Sequence, residues 1–365
     1  MGRMAWQHGC PPTIREQTHV YTTNYIIYPN KDQLHACPPC RGDATLNSIP
    51  RSIHGEDAPR SATTHTTLPD CFIFPADKLP PAKATSAAVS LPIIDLSGSR
   101  DNVHRAILNA VINHGVSKQA MQDMEAVCQE FFQLPAADKA ALYSEDTQKT
   151  TRIYTSTMFD TGGEKYWRDC LRLARAFPVA GDSAMAWPDK PHRLREVVEK
   201  FTVQARGMGG GDVVLHVNHY LPCPDPSTTL GLPPHCDRNL LTLLLPSMVP
   251  GLEVAYNGDW IKVEPVPYAF IVNFGCQLEV VINGILKSIE HRVVTNLGVA
   301  RTMVATFIMP TTDCVIGPAV EFLSENNPPC YRTLTFGEFK RIYSVVKLGS
   351  SLNLTTDLKN VQKEI

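Results

Sequence analysis

Short apolar runs dominate the chain between residues 212 and 312. Each run is rich in β-branched or aromatic residues, and glycine, proline or asparagine separates it from the next. Such runs, with turn signals between them, are typical of the closely spaced strands of a β-sandwich or β-barrel. Asn257-Gly258 predicts a two-residue hairpin turn between two of them. The runs are VVLHVNHY, LLTLLL, GLEVAY, WIKVEPV, AFIVNFG, LKSIEHRVV and RTMVATFIM.

Helical periodicity occurs on both sides of this β region. Residues 117–133 carry an apolar stripe that predicts a helix, with Ser117 as its N-cap. Residues 191–208 repeat the pattern and end before three glycines, and residues 101–110 predict a shorter helix. Residues 336–346 predict a helix near the C-terminus. The stripe of the first of these helices, which we interpret as core, consists of Met121, Met124, Cys128, Phe131 and Phe132.

The patterning divides the chain into four parts. Residues 1–88 lack sustained periodicity and are rich in proline and threonine, so we expect an irregular or disordered extension. Residues 89–208 form a helical region that opens on a predicted strand at 91–97. Residues 209–312 form the β domain, and residues 313–365 form a helical tail. The predicted fold class is therefore mainly β with flanking helices.

Composition argues against several kinds of partner. The formal net charge is −2 and no stripe is dense in lysine and arginine, so nucleic acid is not expected. No apolar run reaches the ~18 residues that a membrane helix requires. Eleven cysteines without a disulfide-framework spacing favour a reducing compartment. We therefore expect a cytoplasmic protein, and a monomer is the default oligomeric state.

A histidine and an aspartate stand two residues apart in GLPPHCDRNLLTLLLP. If His235 and Asp237 lie on one strand, their side chains share a face, because side chains alternate along a strand. His291, in SIEHRVV, lies in another predicted strand. Two histidines and one carboxylate leave three positions open on an octahedral ion, which is typical of non-haem Fe(II) oxygenases. The same set suits zinc-dependent hydrolysis, although no general base is placed beside it, so both interpretations stay open.

Arg301 stands ten residues after His291 and favours the oxygenase. On the predicted strand RTMVATFIM, Arg301 shares a face with Met303 and Ala305. A guanidinium that points into an apolar barrel is costly unless an anion meets it, and its planar fork suits a carboxylate. A dicarboxylate that chelates the metal at one end would pair with Arg301 at the other.

Longer motifs make the chain recognisable. It resembles the plant Fe(II)/2-oxoglutarate-dependent dioxygenases, a group that includes flavanone hydroxylases, anthocyanidin synthases and hyoscyamine hydroxylase-like enzymes. The resemblance covers the chain from about residue 90 to its end. The motifs that carry it are LPIIDLS, INHGVS, VNHYLPCPDPSTTLGLPPHCDRNLLTLLL, EHRVV, RTMVATF and YRTLTFGEFKRIY.

The resemblance implies a double-stranded β-helix, which is a jelly roll related to the cupins. It also implies that His235, Asp237 and His291 ligate Fe(II). Arg301 would then bind the distal carboxylate of 2-oxoglutarate, and Tyr220 would help to hold this co-substrate, with Asn218 on the same strand face. O2 would be the second co-substrate and ascorbate a reductant. The implied reaction hydroxylates a small plant metabolite or hormone and releases succinate and CO2.

The chain departs from the family pattern at three places. The family usually has Arg-x-Ser, whereas residue 303 is methionine. A hydrogen bond to a charged group is worth ~1.5–3 kcal/mol, so we expect co-substrate binding to be weaker but not abolished. An aromatic strand before the NHG motif and a helical segment before VNHY are also shortened, as if by two internal deletions. These departures motivate an alternative: an impaired or non-catalytic relative that binds metal without turnover.

The sequence does not identify the substrate, because apolar lining and lid residues set specificity in sites of this kind. Phe274 and Phe307 are candidate lining residues by their strand positions, although both are also compatible with the core. Hydroxylation is the expected outcome rather than desaturation or ring closure.

Overall fold

The computed structural model describes residues 21–22, 24–27, 67–76, 79, 116–155, 165–174, 187–206, 212–256 and 258–345. The strands are, in chain order, β1 (Tyr21–Thr22), β2 (Asn24–Ile27), β3 (Thr151–Tyr154), β4 (Asp169–Ala174), β5 (Asp212–Tyr220), β6 (Leu232–His235), β7 (Leu241–Leu245), β8 (Leu252–Tyr256), β9 (Asp259–Lys262), β10 (Phe270–Phe274), β11 (Leu286–Lys287), β12 (His291–Val293), β13 (Arg301–Met309), β14 (Val315–Ile316) and β15 (Leu334–Thr335). The α-helices are α1 (Lys118–Gln133), α2 (Ala136–Lys139), α3 (Leu194–Arg206), α4 (Cys276–Val281) and α5 (Phe336–Val345).

Two antiparallel sheets form the β domain. The larger sheet has the strand order β2-β10-β7-β13-β5-β4-β3, and the smaller one has the order β6-β12-β8-β9. The strand order within each sheet differs from the order along the chain, because strands that follow one another in sequence often lie in opposite sheets, as in a jelly roll. The predicted fold class, a double-stranded β-helix with flanking helices, is confirmed.

Two layers of apolar side chains explain why both sheets form. The inner face of the large sheet packs against the small sheet through residues such as Leu244, Met303 and Val254. The outer face packs against α1 and α3 through Leu215, Val304 and their neighbours. The large sheet is therefore the middle layer, and its strands are buried on both faces. This position explains why β7 and β13 are continuous apolar runs rather than alternating ones.

The helix flanking the sheet forms as its sequence predicts. Ser117 caps α1, since its side-chain oxygen accepts a hydrogen bond from the backbone N–H of Ala120. All five residues of the predicted stripe of this helix are buried. The helix predicted at 191–208 begins three residues later than predicted, and within the described residues it comprises Leu194–Arg206. The C-terminal helix spans Phe336–Val345, as expected.

Some predictions need correction, and others fall outside the described residues. The N-terminal extension is not irregular throughout, since β2 pairs with β10 at the edge of the large sheet, and β-branched isoleucines suit such a strand. The segment LKSIEHRVV is not one strand but two, β11 and β12. The strand at 91–97 and the helix at 101–110 lie outside the described residues. Among the helices that are described, none has the length and apolar character needed to cross a bilayer.

Candidate metal centre

Three potential metal ligands converge where the small sheet meets the loop after β6. His235 ends β6 and His291 begins β12, and the two residues are directly paired across this ladder. Their Nε2 atoms each lie 3.8 Å from Oδ1 of Asp237. One ligand atom from each of the three residues lies within 4.8 Å of the other two. The two predicted histidines and the predicted carboxylate are therefore brought together.

The route by which Asp237 reaches the site differs from the expected one. The sequence pattern predicts that His235 and Asp237 lie on one strand and share a face. In the structure, β6 ends at His235 and Asp237 lies beyond it. The carbonyl of Asp237 instead accepts a hydrogen bond from the N–H of Cys276, at 2.7 Å, and this contact anchors the turn. Cys236 is buried, with its thiol directed at the carbonyl of Ser288.

The hydrogen bonds of the histidines leave their Nε2 atoms available to a cation. Nδ1 of His235 lies 2.8 Å from the carbonyl oxygen of Pro233, and Nδ1 of His291 lies 3.1 Å from that of Ile289. A carbonyl oxygen can only accept, so each Nδ1 carries the hydrogen and each Nε2 keeps its lone pair. This backbone contact is the usual way in which a metal-ligating histidine is oriented.

The carboxylate is oriented in the same manner. The hydroxyl of Thr242 donates a hydrogen bond to Oδ2 of Asp237, at 2.6 Å, and accepts one from the amide of Asn239, at 2.9 Å. Oδ2 is thereby fixed, and Oδ1 is the oxygen that faces the two imidazoles. The carboxylate and both imidazoles are largely buried, so the site presents preformed ligands.

The electrostatics of the centre favour a cation over protons. Burial, and next the neighbouring His291, lower the pKa of His235 to about 4. The imidazole is therefore neutral at pH 7, which is the form that ligates metal. Two imidazole nitrogens and one hard carboxylate oxygen fit a divalent first-row ion such as Fe(II).

The residues predicted to hold the co-substrate lie beside this centre. Tyr220 and Asn218, on β5, both line the cavity that contains the metal ligands. Arg301 pairs with Tyr220 across the β5–β13 ladder, and its guanidinium lies 4.6 Å from the centroid of the Tyr220 ring. Arg301 is buried, its Nε has no hydrogen-bond partner in the protein, and burial lowers its pKa. An orphaned, buried guanidinium fits an anionic group from a bound molecule.

Met303 occupies the position where the family usually has serine. Its sulfur lies 3.3 Å from Nη2 of Arg301, and a thioether is only a weak acceptor. Met303 also lines the cavity. The chain thus replaces a hydroxyl donor with an apolar side chain beside the predicted carboxylate position.

We expect Met303→Ser to tighten the binding of 2-oxoglutarate by about tenfold. A hydroxyl at this position would donate to the co-substrate carboxylate, and such bonds to charged groups are worth ~1.5–3 kcal/mol. The measurement is the KM for 2-oxoglutarate, and Met303→Ala serves as the control for the loss of side-chain volume. An unchanged or higher KM in Met303→Ser, relative to Met303→Ala, would show that the carboxylate lies elsewhere.

The cavity around the metal ligands has a volume of about 620 Å³ and extends between the two sheets. Phe307 lines it, as predicted, and makes an edge contact with His216. Phe274 does not line it, because its side chain packs in the core between the helices and the outer face of the large sheet. Because side chains alternate along a strand, a shift of one residue moves a side chain from the cavity face of the sheet to the face that packs against the helices.

The structure adds three basic residues to the cavity that sequence reasoning missed. They are Arg168 and Arg172, at β4, and Arg238, which follows Asp237. The segment WRDCLRL contains a usable signal, since Arg168 and Arg172 are four residues apart and therefore share one face of a strand. Its alternation is too short to predict a strand by itself, so the two arginines are not among the candidate residues that the sequence offers.

Comparisons with known proteins agree with this geometry. The profile of the 2OG-Fe(II) oxygenase superfamily matches residues 211–310, and that of the non-haem dioxygenase in morphine synthesis N-terminal region matches residues 91–195. The chain is 60% identical over 341 residues to a 2'-deoxymugineic-acid 2'-dioxygenase of Hordeum vulgare, covering 85% of this chain and 100% of the relative. It is 49% identical to a mugineic-acid 3-dioxygenase of the same plant, with 82% and 96% covered.

A solved structure is also similar. The crystal structure of JOX2 in complex with 2OG, Fe, and JA superposes with a TM-score of 0.69 at 30% sequence identity, over 81% of this chain and 96% of the other. The chain belongs to the 2OG-Fe(II) oxygenase family of plant dioxygenases. Membership in this family implies Fe(II) and 2-oxoglutarate.

Family membership decides between the open interpretations. The hydrolase interpretation of the His-Asp-His set is replaced, because the family is one of oxygenases. The non-catalytic alternative is not favoured, since the close relatives are named dioxygenases. The protein is therefore an Fe(II)- and 2-oxoglutarate-dependent oxygenase of the class that acts on small plant metabolites.

Proposed function

We propose that this enzyme hydroxylates a small organic acid of the mugineic acid type, with His235, Asp237 and His291 as its iron ligands. The observation that carries the proposal is the convergence of two imidazole Nε2 atoms and one carboxylate oxygen in the wall of the cavity. The two barley relatives, named for 2'-deoxymugineic acid and mugineic acid, support the choice of substrate.

The residues of the chain have distinct parts in this reaction. Bound iron supplies the oxidative chemistry, in which one oxygen atom of O2 enters a C–H bond of the substrate and the other enters succinate as 2-oxoglutarate loses CO2. Pro233, Ile289 and Thr242 hold the three ligands in orientation through the hydrogen bonds described above. In our proposal, Arg301 and Tyr220 bind the far carboxylate of 2-oxoglutarate, and Asn218 lies at the edge of this pocket.

The apolar walls of the cavity have a second part. Leu244, Leu252 and Val293 line it near the metal ligands and belong to the core between the sheets. They exclude water from the reacting atoms and thereby protect the oxidising centre from side reactions. Ascorbate as reductant, a cytoplasmic location, a monomeric state and the absence of nucleic acid or membrane partners remain parts of the proposal.

The test is an assay of the purified protein with Fe(II), 2-oxoglutarate, ascorbate and 2'-deoxymugineic acid. We expect substrate-dependent succinate and a product whose mass is greater by one oxygen atom. A neutral flavanone of comparable size is the matched control and should give neither. Succinate formation that does not change when the acid is added would contradict the proposed substrate, while leaving the oxygenase class intact.

A further inference from the structure

The charges that line the cavity are strongly unbalanced. Among the described lining residues, Asp237 is the single carboxylate, and it belongs to the metal site. Four basic side chains are in the lining: Arg168, Arg172, Arg238 and Lys340. A cavity of this composition attracts anions, because its apolar walls strengthen the field of the cations.

Arg168 is a buried cation directed into this cavity. It is 4% exposed, and its Nη1 donates to Oδ1 of Asn218 at 2.6 Å. Its Nε is buried and has no hydrogen-bond partner in the protein. The amide oxygen of Asn218 is a neutral acceptor, so it does not match the charge of the guanidinium. A carboxylate from a ligand would satisfy both the orphaned N–H and the charge.

Arg172 lies on the same strand face, four residues farther along. Its Nη1 donates to the carbonyl oxygens of Lys149 and Thr150, at 3.2 and 3.1 Å, which are also neutral acceptors. The register of β4 and β5 places Arg172 opposite His216. Because a strand rises about 3.3 Å per residue, the backbones at Arg168 and Arg172 are about 13 Å apart. The two guanidinium groups therefore form separate anchor points along one wall.

His216 responds to this concentration of charge. It lines the cavity on the strand next to β4. Burial, followed by the charges of Arg172, Arg168 and Arg238, holds the pKa of His216 well below its ordinary value. The imidazole is therefore neutral and does not compete with the arginines for an anion.

We infer that the primary substrate is a small polycarboxylate, with one carboxylate bound by Arg168 and a second by Arg172. This inference rests on the proposed function, which makes the substrate an acid, and it assigns the residues that recognise the acid. Arg301 is separate, because it lies on β13 behind the Tyr220 ring and is not among the residues that line the cavity. Arg168 and Arg172 are specificity residues, and the co-substrate has its own cation.

The experiment measures two affinities for each variant. Arg168→Gln, Arg172→Gln and wild-type protein are loaded with Mn(II) and 2-oxoglutarate, and 2'-deoxymugineic acid and its methyl ester are titrated by calorimetry. We expect each variant to bind the acid about ten- to a hundredfold more weakly, as loss of a bond to a charged group implies. The ester should bind all three proteins with similar affinity, and the KM for 2-oxoglutarate should not change.

Controls separate recognition from folding. Arg193→Gln removes an arginine immediately before α3 that pairs with Glu130 on the surface, and it should behave as wild type. Arg168→Lys keeps the charge and should restore part of the affinity for the acid. Thermal melting identifies a variant that fails to fold. If Arg168→Gln does not fold, Arg172→Gln tests the inference by itself, since Arg172 is only partly buried.

The outcomes distinguish this inference from the proposed function. Unchanged affinity for the acid in both glutamine variants would overturn the inference, even if the acid is hydroxylated. A rise in the KM for 2-oxoglutarate in Arg168→Gln, without loss of affinity for the acid, would also overturn it by assigning Arg168 to the co-substrate. If wild-type protein binds the acid through both arginines but does not hydroxylate it, the proposed function fails and the inference stands.

Discussion

Asp237→Ala is expected to weaken Fe(II) binding by about a hundred- to a thousandfold and to reduce turnover below detection at micromolar iron. Structural zinc sites bind with apparent free energies of about 10–16 kcal/mol from four ligands, or about 2.5–4 kcal/mol per ligand. Each 1.4 kcal/mol is a tenfold change in affinity. Asp237 is also the one carboxylate among the three proposed ligands, so its loss leaves only two imidazoles.

Anaerobic titration measures this effect directly. Fe(II) and 2-oxoglutarate give a charge-transfer band when both are bound, and calorimetry with Mn(II) gives the affinity of the metal without the co-substrate. Asp237→Ala should lose the band at iron concentrations that saturate wild-type protein. His216→Ala is a matched control, because His216 lines the same cavity but does not belong to the converging set. Equal metal affinity in Asp237→Ala and wild type would place the metal elsewhere.

Removal of the hydroxyl that orients Asp237 should have a smaller effect than removal of the ligand itself. Partners that orient metal ligands typically contribute ten- to a hundredfold in affinity or activity, as order-of-magnitude values. Thr242→Val keeps the shape of the side chain and removes the donor to Oδ2. The difference between Asp237→Ala and Thr242→Val therefore separates ligation from orientation within one site.

Much of the β domain could be predicted, because its strands have sharp local signals. β13 spans Arg301–Met309, the run RTMVATFIM that its composition indicates. β8 pairs with β9, with Tyr256 opposite Asp259, which is the hairpin pairing that the dipeptide Asn-Gly between the two runs predicts. The convergence of His235, Asp237 and His291 could also be predicted from the sequence, because histidine and aspartate have few reasons to stand beside apolar strands.

The features that sequence analysis missed depend on tertiary position. Asp237 comes to the metal site because of a backbone contact with Cys276, some forty residues away in the chain, which no local pattern encodes. Phe274 and Phe307 both lie in apolar strands, and only the packing of the layers decides that one faces the cavity and the other the helices. Arg168 and Arg172 are hard to place from the sequence, because β4 is a short strand with only Leu171 and Leu173 on its core face, and so brief an alternation does not predict a strand.

Arg301→Gln is expected to raise the KM for 2-oxoglutarate by about a hundredfold or more and to leave kcat at saturating co-substrate largely intact. The buried guanidinium offers two parallel N–H groups to a carboxylate, and a bond to a charged group is worth ~1.5–3 kcal/mol. Binding energy that is equal in the ground and transition states affects KM and not kcat. Steady-state kinetics with varied 2-oxoglutarate and saturating acid substrate measure both parameters.

A second variant tests the position of Arg301 without removing its charge. A Cβ at Gly251 would overlap Nη1 of Arg301, so Gly251→Ala must displace the guanidinium from its place over Tyr220. Gly298→Ala is the matched control, because a Cβ there meets no neighbouring atom within 4 Å. We expect Gly251→Ala to raise the KM for 2-oxoglutarate and Gly298→Ala to leave it unchanged. If Arg301→Gln and Gly251→Ala both keep the wild-type KM in folded protein, the distal carboxylate is held by another cation, and Arg168 becomes the residue to test.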